Sequence, residues 1–340
     1  MPTRLGRTLG WLYAQAAGLR NGWYDVNPGK RADRPVISIG NLSAGGTGKT
    51  PMVVHLVQTL KDAGRSPCIA LRGYKSATGS PADSDEAQQY ARVLPGVPLA
   101  VGPNRLEELK VLFTTSRGAK VDCVLLDDGF QHRQLWRDCD LVLIDATRSP
   151  FDDRQLPGGF LREPLIGLKR AHGIVLTHAE AVPAQRLTDL AYKIEDLTGR
   201  KPVAVCRHAW KSLVTGEGTK ERTVPPDFIK GRKIALGCAI GNPGPLITHV
   251  KSVATIVHEA LLPDHDPFSG KALEAFIRGA KDRGADLILV TEKDWSKLRT
   301  VPEDRWPCPV LRPRLALSFD RGMGDLADLV IGAVRAWKRP

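Results

Sequence analysis

Ser43-Ala44-Gly45-Gly46-Thr47-Gly48-Lys49-Thr50 lies directly behind the β-branched run Val36-Ile37-Ser38-Ile39. A short apolar strand, a glycine loop and a Lys-Thr pair opening an amphipathic segment make the layout of a nucleotide-phosphate cradle. Glycines let backbone N–H groups converge on phosphate oxygens, because side chains there would block the approach. Lys49 supplies a point charge at the β/γ-phosphates, and the Thr50 hydroxyl suits Mg²⁺. The following helix aims its positive end at the anion. All eight residues from Ser43 to Thr50 are therefore expected to bind nucleotide. One position departs from the usual pattern: Ser43 stands where a first glycine is common, and Gly45 and Gly46 keep the loop permissive.

Outward from this loop the chain alternates strand-like and helix-like segments. Apolar strand runs fall at 36–39, 68–71, 97–101, 123–126, 141–144, 174–177 and 203–206, and helical patterns at 52–63, 86–94, 104–116 and 184–197. Such alternation predicts an α/β fold with a mostly parallel sheet covered by helices on both faces, and ligands collecting at the carboxyl ends of the strands. Residues 208–232 turn polar and carry Thr215-Gly216-Glu217-Gly218 and Pro225-Pro226, which marks a linker. The expected division is an amino-terminal segment 1–34, a nucleotide-binding domain 35–207, the linker 208–232 and a second, smaller α/β domain 233–340. That second domain is expected to hold a strand at 234–239, a helix at 269–283 and a strand at 287–290.

The 340 residues carry a formal charge of +12, which calls for an anionic partner and does not choose between nucleotide, nucleic acid and acidic lipid. Six widely spaced cysteines without a Cys-x-x-Cys pair speak against a zinc or disulfide frame and fit a reducing compartment. No stretch reaches the roughly 20 apolar residues that span a bilayer. Leu5, Leu9, Leu12, Ala16, Leu19 and Trp23 recur on one helical face, with Arg4, Arg7 and Arg20 around them. This stripe fits an interfacial helix on anionic lipid, and equally a helix packed on the protein's own core.

Further along, Val124-Leu125-Leu126-Asp127-Asp128 is a strand ending in two carboxylates, placed to hold Mg²⁺ directly or through water. Asp85 and Glu86 are candidates for a general base, or simply for a helix start, since Asp83 and Glu86 have capping-box spacing. Asp264-His265-Asp266 is either loop polarity or the source of an imidazole that pairs with a distant carboxylate. Arg162-Glu163-Pro164 sits in a glycine-proline loop of the kind that supplies phosphate clamps and metal ligands.

Taken in order, these residues resemble the tetraacyldisaccharide 4'-kinase (lipid A 4'-kinase) family of Gram-negative envelope biosynthesis. The resemblance runs from about Val36 to Leu298. It rests on Gly40-Asn41 with the glycine loop and Pro51, Arg72-Gly73-Tyr74, Ser84-Asp85-Glu86 and Asp127-Asp128-Gly129-Phe130-Gln131-His132. Leu161-Arg162-Glu163-Pro164, Gly241-Asn242-Pro243, Asp264-His265 and Thr291-Glu292-Lys293-Asp294 extend it. The resemblance implies two α/β/α sandwich domains joined by a short β linker. It also implies transfer of phosphate from ATP to the 4'-hydroxyl of a membrane-borne lipid A disaccharide 1-phosphate. By position, Asp85 and His265 become a base dyad, while Asp127, Asp128 and Glu163 bind or organise Mg²⁺ beside Thr50. An amino-terminal helix at the cytoplasmic face of the inner membrane, peripheral or monotopic, is implied as well. Asp266 departs from the family, many of whose members carry a second His there.

The rival from another class is a partitioning-type P-loop ATPase switch acting on membrane or DNA. Its loop needs a lysine where this chain has Ala44. A guanine reader is not found either, because Thr291-Glu292-Lys293-Asp294 has the wrong order. No nucleic-acid-binding module is visible, so no nucleic-acid partner is expected.

Overall fold

The computed structural model describes residues 4–73, 84–216, 221–264 and 266–338. The chain divides into two compact units, residues 1–208 with 317–340, and residues 209–316.

In chain order the first unit contains α1 (Arg4–Val26), β1 (Val36–Asn41), α2 (Lys49–Asp62), β2 (Pro67–Leu71), α3 (Asp85–Val93) and β3 (Leu99–Val101). Then come α4 (Arg105–Thr114), β4 (Cys123–Asp127), β5 (Cys139–Asp145), β6 (Gly173–Thr177), α5 (Ala184–Thr198) and the start of β7 (Ala204–Thr215). Its strands run in the order β7-β6-β5-β1-β4-β2-β3, and every pairing described between them is parallel. β1 lies between β4 and β5, with Ile39 opposite Asp127 on one side and Leu141 on the other. Both faces of the sheet are covered, so β1, β2, β4, β5 and β6 are buried along their whole length. That is why these strands read as continuous apolar runs and not as alternating ones.

The second unit holds β8 (Arg222–Val224), β9 (Lys233–Cys238), α6 (Gly244–Val253), β10 (Thr255–Leu261), α7 (Gly270–Asp282), β11 (Leu287–Val290), α8 (Glu292–Leu298) and most of β12 (Val310–Arg321). β10, β9, β11 and β12 are parallel neighbours. α9 (Met323–Ala336) follows β12.

One boundary differs from expectation. Residues 208–232 hold the short β linker that the resemblance implied: the end of β7 pairs antiparallel with β8, and Leu213 and Ile229 are fully buried in a core with Ile234, Leu236 and Leu289. The second domain does not extend to residue 340. β12 carries the chain back, and α9 buries Leu326, Val330 and Val334 against Ile37, Ile39, Leu56 and Leu143 of the first unit. Phe319 packs against His55 of α2, ring centroids 4.8 Å apart and tilted by 42°. No element was expected beyond the strand at 287–290, and nothing local in the sequence says which sheet receives the apolar face of α9. We expect Leu326→Ala to cost about 3 kcal/mol in urea unfolding, and the loss should fall on the transition of the nucleotide-loop unit. Loss confined to the other unit's transition would reverse this assignment.

α1 forms as expected and is held by polar contacts. Tyr13 Oη donates to the Arg162 carbonyl (3.0 Å), Arg20 to the Gln131 carbonyl (2.8 Å) and Asn21 Nδ2 to Glu163 Oε2 (2.9 Å). Ala16 of the apolar stripe is exposed, as are Leu19 (77%) and Trp23 (57%). The side chains of Leu5, Leu9 and Leu12 fall outside those described. Among the described residues no helix is long and apolar enough to cross a membrane. The six cysteines form no disulfide, and all but Cys308 are buried, as small hydrophobes in the sheet.

Candidate active site

The carboxyl ends of β1, β4, β5 and β6 carry the glycine loop, Asp127, Asp145 and Thr177 in turn. Asn41, fully buried, shapes the loop from its base: its Nδ2 donates to the Ser43 carbonyl (2.7 Å) and to Thr47 Oγ1 (2.9 Å). Thr177 Oγ1 holds the Thr47 carbonyl at 3.0 Å. Gly45 and Gly48 take φ values of 118° and 81°, where an L side chain is strained. At Gly48 a Cβ would in addition lie 2.5 Å from His208 Nε2.

Gly48 caps α2 with no side-chain hydrogen bond, so the first-turn amides face outward, ready for an anion. Pro51 lacks an amide and costs nothing in this first turn. Ala44 contributes differently from expectation. Its N–H donates to the Phe160 carbonyl (2.7 Å), and Arg162 N donates to the Leu42 carbonyl (2.8 Å), so the loop's first arm is zipped to residues 160–162. A pocket beside the loop is closed by Ile144, Asp145 and Arg148.

Around α2's first turn the charged groups meet. Lys49 Nζ lies 3.3 Å from Asp128 Oδ1, and Arg162 Nη1 donates to both Asp128 oxygens at 2.9 Å. Burial opposes the Asp128 charge, yet Lys49 and Arg162 together hold its carboxyl down to about 2. Asp128 itself adopts φ 51°.

Asp127 has the opposite environment. It is 6% exposed, and burial pushes its carboxyl up despite the nearby Lys49. Its Oδ2 accepts from the Tyr90 hydroxyl at 2.8 Å, and its buried Oδ1 has no hydrogen-bond partner among the described residues. The Thr50 hydroxyl neighbours this phenol, and burial followed by the Asp127 charge raises the phenol well above the usual value. An orphaned carboxylate oxygen and a hydroxyl beside the same phenol are hard donors suited to Mg²⁺. Asp127 and Thr50 therefore fit a metal ion, whereas Asp128 is committed to its two cations.

Glu163 does not join this group. It is 2% exposed, and both its oxygens are taken. Oε1 accepts from Gln131 Nε2 and Arg170 Nη2, each at 2.7 Å. Oε2 faces Arg170 Nη1 (2.7 Å) and Asn21 Nδ2. Gln131 Nε2 also donates to the Asn41 carbonyl (2.9 Å), and Arg170 stacks over Phe130 at 3.8 Å. The carboxylate expected among the metal ligands is thus the buried hub that ties α1, the Gly-Phe-Gln turn and β1 together. His132, next in that turn, is held down to about 4 by burial and by Arg105, Arg137, Arg20 and Arg72.

Asp85 opens α3, half-buried, one and a half turns before Tyr90. The cap of that helix is Ser84, whose Oγ accepts from Ala87 N (3.3 Å). The cap pairing expected for Asp83 lies outside the described residues, as do Tyr74 and His265. Asp264, in the second unit, accepts from Lys293 Nζ at 2.8 Å. Thr291-Glu292-Lys293-Asp294 is a capping element: Thr291 Oγ1 accepts from Asp294 N (3.1 Å) and donates to Asp294 Oδ2 (2.6 Å).

Tyr90 is the site residue that motif reading did not select. Tyr90 stands three residues after Ala87 on a buried helix face, where an aromatic reads as core. Arg162, read as a candidate phosphate clamp, is found on Asp128 instead.

Comparison with known proteins places this geometry. The sequence model described as tetraacyldisaccharide-1-P 4'-kinase matches residues 3–326. A tetraacyldisaccharide 4'-kinase of Anaeromyxobacter sp. (strain K) is 36% identical over 303 residues, covering 84% of this chain and 79% of the relative. The enzyme of that name from Chlorobium luteolum is 31% identical over 352 residues, covering 95% and 96%. Among solved structures, LpxK from Aquifex aeolicus, described as an "apo" form in complex with ATP, superposes with a TM-score of 0.69 at 26% identity. That match covers 96% of this chain and 98% of the other.

Proposed function

Because the chain belongs to the tetraacyldisaccharide-1-P 4'-kinase family, we propose that it transfers the γ-phosphate of ATP to the 4'-hydroxyl of tetraacyldisaccharide 1-phosphate. One observation carries the reading of the site. An uncapped helix N-terminus, Lys49 and an acid pair with oppositely tuned carboxyls meet at the ends of the adjacent strands β1 and β4. Phosphoryl transfer asks chiefly for positioning and charge stabilisation, and these groups supply both. The loop amides and Lys49 hold the triphosphate. Asp128, clamped by Arg162, keeps the Lys49 ammonium at the mouth of the loop. Asp127 and Thr50 would hold Mg²⁺, which when bound would supply charge neutralisation at the transferring group. The sugar oxygen forms a bond to the γ-phosphorus as the bond to the ADP oxygen breaks, and the hydroxyl proton passes to Asp85. His265 is proposed, from the family pattern alone, as the imidazole that orients this base.

The test is an assay of purified protein with labelled ATP and lipid A disaccharide 1-phosphate, scored for the bisphosphorylated lipid. Asp85→Asn is expected to lower kcat by about a hundredfold or more, with the ATP KM changed little. A defect confined to ATP affinity would reduce Asp85 to an element of the helix start.

We further propose that α1 lies at the anionic cytoplasmic face of the inner membrane, as a peripheral or monotopic anchor. Leu19, Trp23 and Val26 are exposed on α1 while Tyr13 and Asn21 make polar contacts to the protein. Exposed Trp and aliphatic side chains on a helix of this kind favour the headgroup layer. Leu19→Glu with Trp23→Glu removes apolar contacts of about 2 kcal/mol each. Flotation with phosphatidylglycerol vesicles should then fall at least tenfold, and unchanged flotation would discard the anchor.

A further inference from the structure

Behind the glycine loop, and separate from Lys49, Asp127 and Asp128, three ligating side chains converge. His178 and Glu180 follow β6, and His208 lies in β7, all in the first unit. Their donor atoms lie within 4.8 Å of one another. His178 is held in a left-handed conformation (φ 55°), with Nδ1 3.3 Å from Asp145 Oδ1. That oxygen also accepts from the Thr147 amide (2.9 Å) and hydroxyl (2.7 Å), so Asp145 is fixed in place. A carboxylate against Nδ1 assigns the ring proton there and leaves Nε2 as the lone-pair donor, the arrangement by which outer carboxylates orient metal-binding imidazoles.

His208 supplies the independent observation. Its side chain is 8% exposed, yet neither ring nitrogen has a hydrogen-bond partner among the described residues. Buried polar atoms are nearly always satisfied, so two orphaned nitrogens on one ring require an explanation. Glu180 faces this ring: Oε2 accepts the His208 backbone N–H at 3.0 Å. Its Oε1 stands 3.8 Å from His208 Nδ1, too far for a hydrogen bond. The two histidine rings lie 4.2 Å apart between centroids.

We propose that His178, Glu180 and His208 form a site for a divalent transition-metal ion of the zinc class, with Asp145 as the positioning residue for His178. Two imidazoles are borderline donors that select zinc-like ions over Mg²⁺, a carboxylate completes many zinc sites, and three protein ligands leave one position for water. The site abuts the nucleotide loop, because the His208 ring fills the space that a side chain on residue 48 would need.

The experiment uses the full chain, stripped with chelator and titrated calorimetrically with ZnCl₂ in millimolar MgCl₂, which occupies hard-oxygen sites. Co²⁺ is then substituted for its visible ligand-field bands. The expected result is a single equivalent of zinc bound at micromolar affinity or tighter, with a low-coordinate Co²⁺ spectrum. Glu180→Gln keeps an oxygen for the His208 N–H and so preserves the fold; it should weaken zinc at least tenfold. His208→Ala should abolish the isotherm, and Asp145→Asn should weaken it about tenfold to a hundredfold. Lys49→Ala should leave it unchanged. If His208→Ala fails to fold, Glu180→Gln decides alone. No zinc uptake by the wild-type chain, or equal affinity in the Glu180→Gln variant, overturns the proposal, and neither result bears on the kinase reading, since no nucleotide is involved.

Discussion

Lys49→Ala is expected to lower kcat for lipid phosphorylation by about a thousandfold, equivalent to about 4 kcal/mol of transition-state stabilisation. The size follows from position. Lys49 opens α2, and its side chain is only 18% exposed, with the ammonium 3.3 Å from Asp128. A charge fixed in advance in a poorly hydrated place stabilises developing negative charge more than a mobile surface lysine can. Negative charge on the transferring group redistributes most in the transition state, so kcat should suffer more than the ATP KM. Lys49→Arg should not restore turnover, because a planar fork beside Asp128 competes with Arg162 for the same carboxylate. Folding should survive both changes, since Arg162 still pairs with Asp128. Near-normal turnover of Lys49→Ala, in a protein with an unchanged melting curve, would remove the nucleotide loop from the mechanism.

How much of this was readable beforehand depends on whether the cause is local. The glycine loop was legible because its requirements are local: positive φ at Gly45 and Gly48, and a lysine at the first helical position. The parallel sheet was legible for the same reason, since strands buried on both faces are apolar throughout. What escaped depends on partners distant in sequence. Glu163 and Asp127 are both acids in strand-end loops, and only the folded chain shows that Arg170 and Gln131 saturate one while Asp127 Oδ1 stays without a partner among the described residues. Tyr90 is linked to Asp127 across 37 residues. Arg312 is 1% exposed because Glu221 and Glu292 flank it, which no reading of Val310-Leu311-Arg312-Pro313 could supply. The domain boundary failed likewise: nothing local in residues 323–336 says that their helix covers the first unit's sheet.

Asp127→Asn offers the sharpest separation of function from stability. Burial raises the Asp127 carboxyl above its ordinary value. A group with a folded pKa above its unfolded pKa favours the native state while protonated, and that contribution is lost as pH rises through the folded value. Above its raised value the ionised side chain is therefore a cost to folding, and a neutral isostere removes that cost. The amide oxygen introduced by this substitution can still accept from Tyr90, so the local structure keeps its hydrogen bond. We expect a melting temperature equal to or higher than wild type at pH 7, and a difference that shrinks as pH falls through the raised Asp127 value. Activity should move the other way. Without the anionic oxygen that suits Mg²⁺, kcat should fall by about a hundredfold to a thousandfold, with the Mg²⁺ concentration for half-maximal rate displaced upward. In the wild type, protons and metal compete for this carboxylate, so the Mg²⁺ requirement should rise as pH falls, and Asp127→Asn should flatten that dependence. A variant that is less stable at pH 7 and retains an unaltered Mg²⁺ requirement would make Asp127 a structural acid and leave the metal to other residues.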